Sequence, residues 1–215
     1  MFLVHPEGPG APFFMKKFSG FYTVLILGFG LIITGCNVGS DSRSEAVLIQ
    51  KLHSPNWRRA NGAINDLIHW HPNSTNAIPP LKVLLHHNTF PPDPVPANMP
   101  TDFLARKAAR ALAAYHADMS ADDMRVIYKF LESPDVETRM DGLKALRGGF
   151  NAPDAVPHIL PLLKDPNEHV VRDACRTLTV IGDKSAIPSL EPLLSNPRSD
   201  VRWDARRAID ALNSK

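Results

Sequence analysis

The residues that decide the fold are AVPHILPLLKDPN at 155–167, because thirty-one positions later the chain repeats them as AIPSLEPLLSNPR at 186–198. Superposing the two sets Ala155, Pro157, Leu162, Leu163 and Pro166 over Ala186, Pro188, Leu193, Leu194 and Pro197, and AIPPLKVLLHHN at 77–88 fits the same frame. The residues after each copy are periodic as well. HVVRDACRTLTVIGD (169–183), DVRWDARRAIDALNS (200–214) and SPDVETRMDGLKALRG (133–148) each place a small residue four positions before an aliphatic one. Extended along the chain, the register gives a small column of Ala63, Ala108, Gly142, Ala174 and Ala205 and an aliphatic column of Leu67, Leu112, Leu146, Leu178 and Ile209, with steps of 45, 34, 32 and 31 residues. A period of this size signals stacked supersecondary units, each covering its neighbour's apolar face, and not one mixed core.

Each unit reads as two helices. The first opens on a proline, tolerated where the N–H has no helical partner, and a second proline four residues on, Pro161 or Pro192, should bend it. The turns DPN and NPR lead into the second helix, whose small and aliphatic residues at i and i+4 form one packing stripe. Gly182 stands where a helix C-terminus favours a left-handed residue. The expected architecture is all-α: an α-solenoid of about five stacked helical hairpins over residues 45–215, with a proline-rich insertion, NTFPPDPVPANMP, at 88–100. On these residues the chain resembles HEAT repeats, specifically the short variety found in phycobilin lyases. The likeness is strong over 120–215 and looser over 44–116, where SEAVLIQKLHSPNWRRANGAINDLIHW lacks the prolines, as a capping unit should. A tetratricopeptide array has a similar period, but its Trp, Leu-Gly and Tyr signature is missing.

The N-terminal residues concern address more than fold. Residues 15–36, MKKFSGFYTVLILGFGLIITGC, put Lys16 and Lys17 before an apolar run and small residues after it, the order of a secretory signal. The run is shorter than the roughly 20 residues of a permanent membrane helix. Its ending ITGC resembles the lipobox of bacterial lipoproteins, which implies cleavage between Gly35 and Cys36 and acylation of Cys36. The resulting anchor would hold the protein at the envelope. Asn37 after the cysteine, where Asp would retain the protein at the inner membrane, favours the outer membrane facing the periplasm. Residues 1–14 carry no basic residue, so translation is expected to start at Met15. Residues 36–44 then form a lipidated tether, about 16 Å in span between Asn37 and Ser44 as a flexible chain.

With 24 basic against 22 acidic residues, a net +2, the totals imply no polyanionic partner. The two cysteines, Cys36 and Cys175, allow neither a disulfide framework nor a cysteine-rich zinc site. No phosphate loop, H-E-x-x-H or G-x-S-x-G occurs. Cys175, one residue past Ala174, is expected to be a buried small hydrophobe. The pairs His69/His71 and His86/His87 end antiparallel helices roughly 20 Å apart and cannot share an ion. His53 and His86 could approach at a rim, but two ligands make a poor metal site. No catalytic residue, metal or cofactor is therefore expected, although kinship with bilin lyases keeps lyase activity as a remote alternative.

Charge position is more informative. In each second helix the residue two after the small column points away from the packed stripe, about 200° from one core residue and about 160° from the other. That column reads Asn65, Arg110, Lys144, Arg176, Arg207, and Arg106, Arg147, Arg172, Met140, Trp203 and Asp210 flank it. Asp210 is expected to be its only acidic member from the second unit on. HEAT second helices line the concave surface, so the resemblance implies a basic strip inside the curve. The expected partner is an acidic protein or peptide, met by a monomer tethered through its lipid. Nucleic acid is not expected, for want of an aromatic ladder. The alternative is a structural role, the strip lying on anionic lipid or polysaccharide; the plainer one is a set of inter-unit charge pairs.

Overall fold

The computed structural model describes residues 42–87, 101–150 and 152–214. The expected tether up to residue 41, Cys36, the leader and the proline-rich insertion lie outside them. The described residues form one compact unit.

Among the described residues the helices are α1 (Glu45–Leu52), α2 (Trp57–Trp70), α3 (Ile78–His86), α4 (Phe103–Ala114), α5 (Ala121–Leu131), α6 (Val136–Arg147), α7 (Val156–Ile159), α8 (Glu168–Ile181), α9 (Ile187–Leu190) and α10 (Ser199–Asn213). They pair as five hairpins, α1/α2 to α9/α10. The even-numbered helices pack side by side in one layer, each against the next, and the odd-numbered ones form the other. No strand is present among the described residues.

Local chemistry sets these boundaries. Asn56, Ser120, Asp135 and Asn167 cap the N-termini of α2, α5, α6 and α8 with side-chain oxygens that accept backbone N–H groups. Ser120 and Asp123 do so reciprocally. Gly182 ends α8 at φ 82°, the left-handed conformation open to glycine. The second proline shortens the first helix of the last two hairpins: α7 and α9 run four residues each, and Leu160–Lys164 and Glu191–Ser195 tighten into 3-10 turns around Pro161 and Pro192. A proline N cannot donate to the carbonyl four residues back. In α3 that position is Val83, and the helix stays α to its end.

The stripe is the core. Ala63, Ala108, Ala174, Ala205, Leu67, Leu112, Leu146 and Leu178 are each at most 1% exposed. Gly142 serves the third hairpin because a Cβ there would stand 2.9 Å from Leu131 Cδ2 and 3.1 Å from Phe130 Cβ. Ile209 is only half-buried, as no further hairpin stacks on α10 among the described residues.

Both ends of the stack are dressed for water. Three before and one after the small residue, positions that face the next hairpin, stand Ala60 and Ile64, Ala105 and Ala109, Arg139 and Leu143, then Val171 and Cys175, all buried. In α10 the same positions carry Arg202 and Arg206, both exposed. At the other end, Arg59 and Asp66 of α2 occupy positions filled by Leu104 and Ala111 in α4. Polar outer faces are what terminal solenoid units require.

Candidate functional site

The outward column lies where the register put it. Asn65, Arg110 and Arg207 are exposed and Lys144 and Arg176 half-buried, on the consecutive second helices α2 to α10. Its surroundings differ from expectation in two ways.

First, Arg106 does not belong to the surface: it is 4% exposed. Two positions before the small residue, a side chain points at the neighbouring second helix, and Arg106 donates from Nη1 to Asp141 Oδ2 at 3.0 Å while its Nε lies 3.3 Å from Asp102 Oδ1. Second, Asp210 is not the only carboxylate on this side of the stack. Asp141, Asp173 and Asp204, one before the small residue in α6, α8 and α10, are 6%, 5% and 2% exposed and take the arginines of the preceding unit.

The pairs form a ladder between the last four second helices. Arg110 Nη1 lies 3.6 Å from Asp141 Oδ1, and Arg147 donates from Nη1 to Asp173 Oδ1 at 3.0 Å. Asp204 spends both oxygens: Oδ2 accepts Arg172 Nε at 2.8 Å and Oδ1 accepts Arg176 Nε at 3.0 Å. Arg172 also reaches Asp200, and Arg176 lies 3.6 Å from Asp173. Part of the expected basic strip is therefore structural. Arg106 is wholly so, and Arg147 and Arg172 are held down by carboxylates of the next unit. Lys144 and Arg207 have no ion pair among the described residues, and Arg207 stacks 5.3 Å over the ring of Trp203, which is 57% exposed.

A similar tie binds hairpin turns. Arg139 donates from Nη1 to the carbonyls of Ser133 and Pro134, and from Nε and Nη2 to both oxygens of Asp165 in the next unit. Arg202 repeats the first half of this, on Asn196 and Pro197.

Of the other residues considered, Cys175 is fully buried, and burial, with the Asp204 carboxylate adding to it, pushes its thiol up to about 12. His86 donates to Asp123 Oδ1 at 2.7 Å, whose Oδ2 accepts Lys82 Nζ at 2.8 Å, so it is a strut between α3 and α5. Burial opposes charge on Asp123, but the hydrogen bonds from Lys82, His86 and Ser120 outweigh it and hold the carboxyl well below its ordinary range. His71 bonds the Arg43 carbonyl. No group of three His, Cys, Asp or Glu side chains converges to hold a metal among the described residues, and no described helix is long and apolar enough to cross a membrane.

This architecture of stacked hairpins defines an α-solenoid. Over residues 124–210 the sequence matches the family model of HEAT repeats. A chain from the complex of CpcE and CpcF of phycocyanin lyase from Nostoc sp. PCC7120 superposes with a TM-score of 0.62 at 23% identity over 79% of this chain, which spans 65% of that chain's length. An engineered protein gives 0.56 at 24% identity, covering 78% of both chains. A computationally designed armadillo repeat protein for modular peptide recognition gives 0.51 at 16%, over 77% of this chain and 81% of that one. These likenesses are of fold. No curated protein matches the sequence.

Proposed function

We propose that this is a non-enzymatic interaction scaffold of the bacterial envelope, anchored through an acylated Cys36 and receiving an acidic protein or peptide on its second-helix face. The observation that carries the reading is one column: Arg110, Lys144, Arg176 and Arg207 recur at the same register of four consecutive second helices and all keep solvent access, Lys144 and Arg207 with no ion pair among the described residues, whereas Arg106 beside them is buried on Asp141. Adjacent helices pack about 10 Å apart, so one extended acidic chain reaches several members. The buried aspartates orient Arg110 and Arg176 before any ligand arrives, which lowers the entropy lost on binding. Peptide recognition by a designed relative of the fold, and the unreactive thiol of Cys175, agree with this reading.

The fold is equally compatible with the lyase reading suggested by the phycocyanin lyase chain and with a structural role on anionic lipid or polysaccharide; no observed side chain favours either. Binding distinguishes them. Salt-sensitive capture of a discrete acidic protein, lost on reversing Arg110, Lys144, Arg176 and Arg207 to Glu and kept on reversing Asp118, Asp122, Glu132 and Asp154, supports the scaffold. Equal capture by both variants refutes it, and binding to anionic vesicles without a protein partner transfers the strip to the envelope surface.

A further inference from the structure

The strip is not uniform. Between α6, α8 and α10 the surface dips into a cavity of about 260 Å³ lined by Arg147, Arg176, Thr179, Val180, Asp204 and Arg207. Three guanidiniums from three successive hairpins meet there. Arg147 is fixed by Asp173 and Arg176 by Asp204, leaving both with more N–H donors than these bonds use. Asp204, 2% exposed, is shared between Arg172 on one oxygen and Arg176 on the other, so the one carboxylate that lines the cavity faces more than one guanidinium. Arg207 adds a cation with no ion pair among the described residues, its guanidinium lying over the ring of Trp203. Beside this charge stands Val180, a half-exposed aliphatic side chain on a protein surface.

From this arrangement we infer that the cavity is where the strip grips its partner: it takes one carboxylate side chain of the acidic peptide on the forks of Arg176 and Arg207, with a neighbouring apolar side chain laid on Val180. The inference rests on the reading of the strip as a protein-binding surface and narrows it to one anchor point. A fork of parallel N–H donors matches the planar carboxylate, and the aspartates behind it hold the fork in place. An apolar contact beside the charge suits an alternating acidic and aliphatic peptide and is of no use to a bare anion.

The stacking of Trp203 on Arg207 supplies a reporter. The full chain, in detergent, is titrated with an N-acetylated, C-amidated Glu-Val-Glu-Val peptide while tryptophan emission is followed. The expected result is a saturable change that the Trp203→Phe protein lacks, that the Gln-Val-Gln-Val peptide does not produce, and that weakens about tenfold in Arg207→Gln, the loss of one charge-assisted hydrogen bond. Arg206→Gln, on the outer end face, should bind as the parent does. Equal affinity of Arg207→Gln and Arg206→Gln overturns the assignment. So does an identical response to inorganic phosphate or to vesicles of phosphatidylglycerol. If Arg207→Gln binds normally while Arg110→Gln with Lys144→Gln does not, the strip survives and only the anchor point falls. If none of these changes matters, both fall.

Discussion

Replacing Arg106 by methionine removes a guanidinium that sits almost wholly inside the protein, and the size of the effect is set by the groups left behind. Asp141, 6% exposed, would keep only Arg110 at 3.6 Å, and that side chain is 45% exposed. Orphaning one member of a buried ion pair typically costs about 3–5 kcal/mol. Methionine fills most of the volume and Arg110 gives partial compensation, so the low end, about 3 kcal/mol, applies. For a domain of this size each kcal/mol lowers Tm by about 2–4 °C, a fall of about 6–12 °C. Arg110→Met, which removes the exposed partner of the same carboxylate, should cost under about 1 kcal/mol. Thermal and urea unfolding of residues 42–215 followed by circular dichroism measures both. Adding Asp141→Asn to Arg106→Met should restore much of the loss, since the neutral amide needs no cation. Should Arg106→Met melt no lower than Arg110→Met, the division of the arginines into structural and surface sets is wrong.

Ala174→Phe, at a fully buried position of the stripe, should destabilise the same unit by about 1–3 kcal/mol through overpacking, and an unchanged melt would mean that the register is misassigned. Asp123 titrates well below its ordinary range in the folded protein, so its stabilisation is complete above the unfolded value of about 3.9 and is lost as pH falls through the lower folded one. The stability difference between the parent and Asp123→Asn should thus be constant near neutrality and shrink below about pH 4; a difference that grows on acidification contradicts the strut. Cys36→Ser should abolish incorporation of radiolabelled palmitate and leave the precursor uncleaved, whereas persistent labelling would place the lipid elsewhere.

The hairpin count, the stripe and the capped ends arise from one periodicity in the sequence, because a solenoid repeats its packing demands every unit. The burial of Ala63, Ala108, Ala174 and Ala205 and the left-handed Gly182 are where that periodicity places them. The ladder was harder to see, although its signal is in the same register: Asp141, Asp173 and Asp204 recur one before the small residue. Reading one helix at a time puts such a residue at the edge of the exposed face. Only the neighbouring helix, packed against that edge, turns it into a buried partner for Arg106, Arg147 or Arg172. Interfaces between units are set by two helices at once, and a single helical wheel contains only one. The cavity beside Val180 needs three, which is why the linear pattern puts Arg147, Arg176 and Arg207 in one strip but gives no sign that Thr179, Val180 and Asp204 join them.

A scaffold of this kind stands or falls on which face meets the partner. A photo-reactive amino acid placed at Lys144, on the outward column of α6, and separately at Lys164, on the exposed turn after α7, samples the two sides of the stack in living cells. Binding on the second-helix face predicts a discrete adduct with an acidic protein from position 144, diminished by raised salt, and none from position 164. An adduct of the same protein from both positions, or from 164 alone, contradicts it.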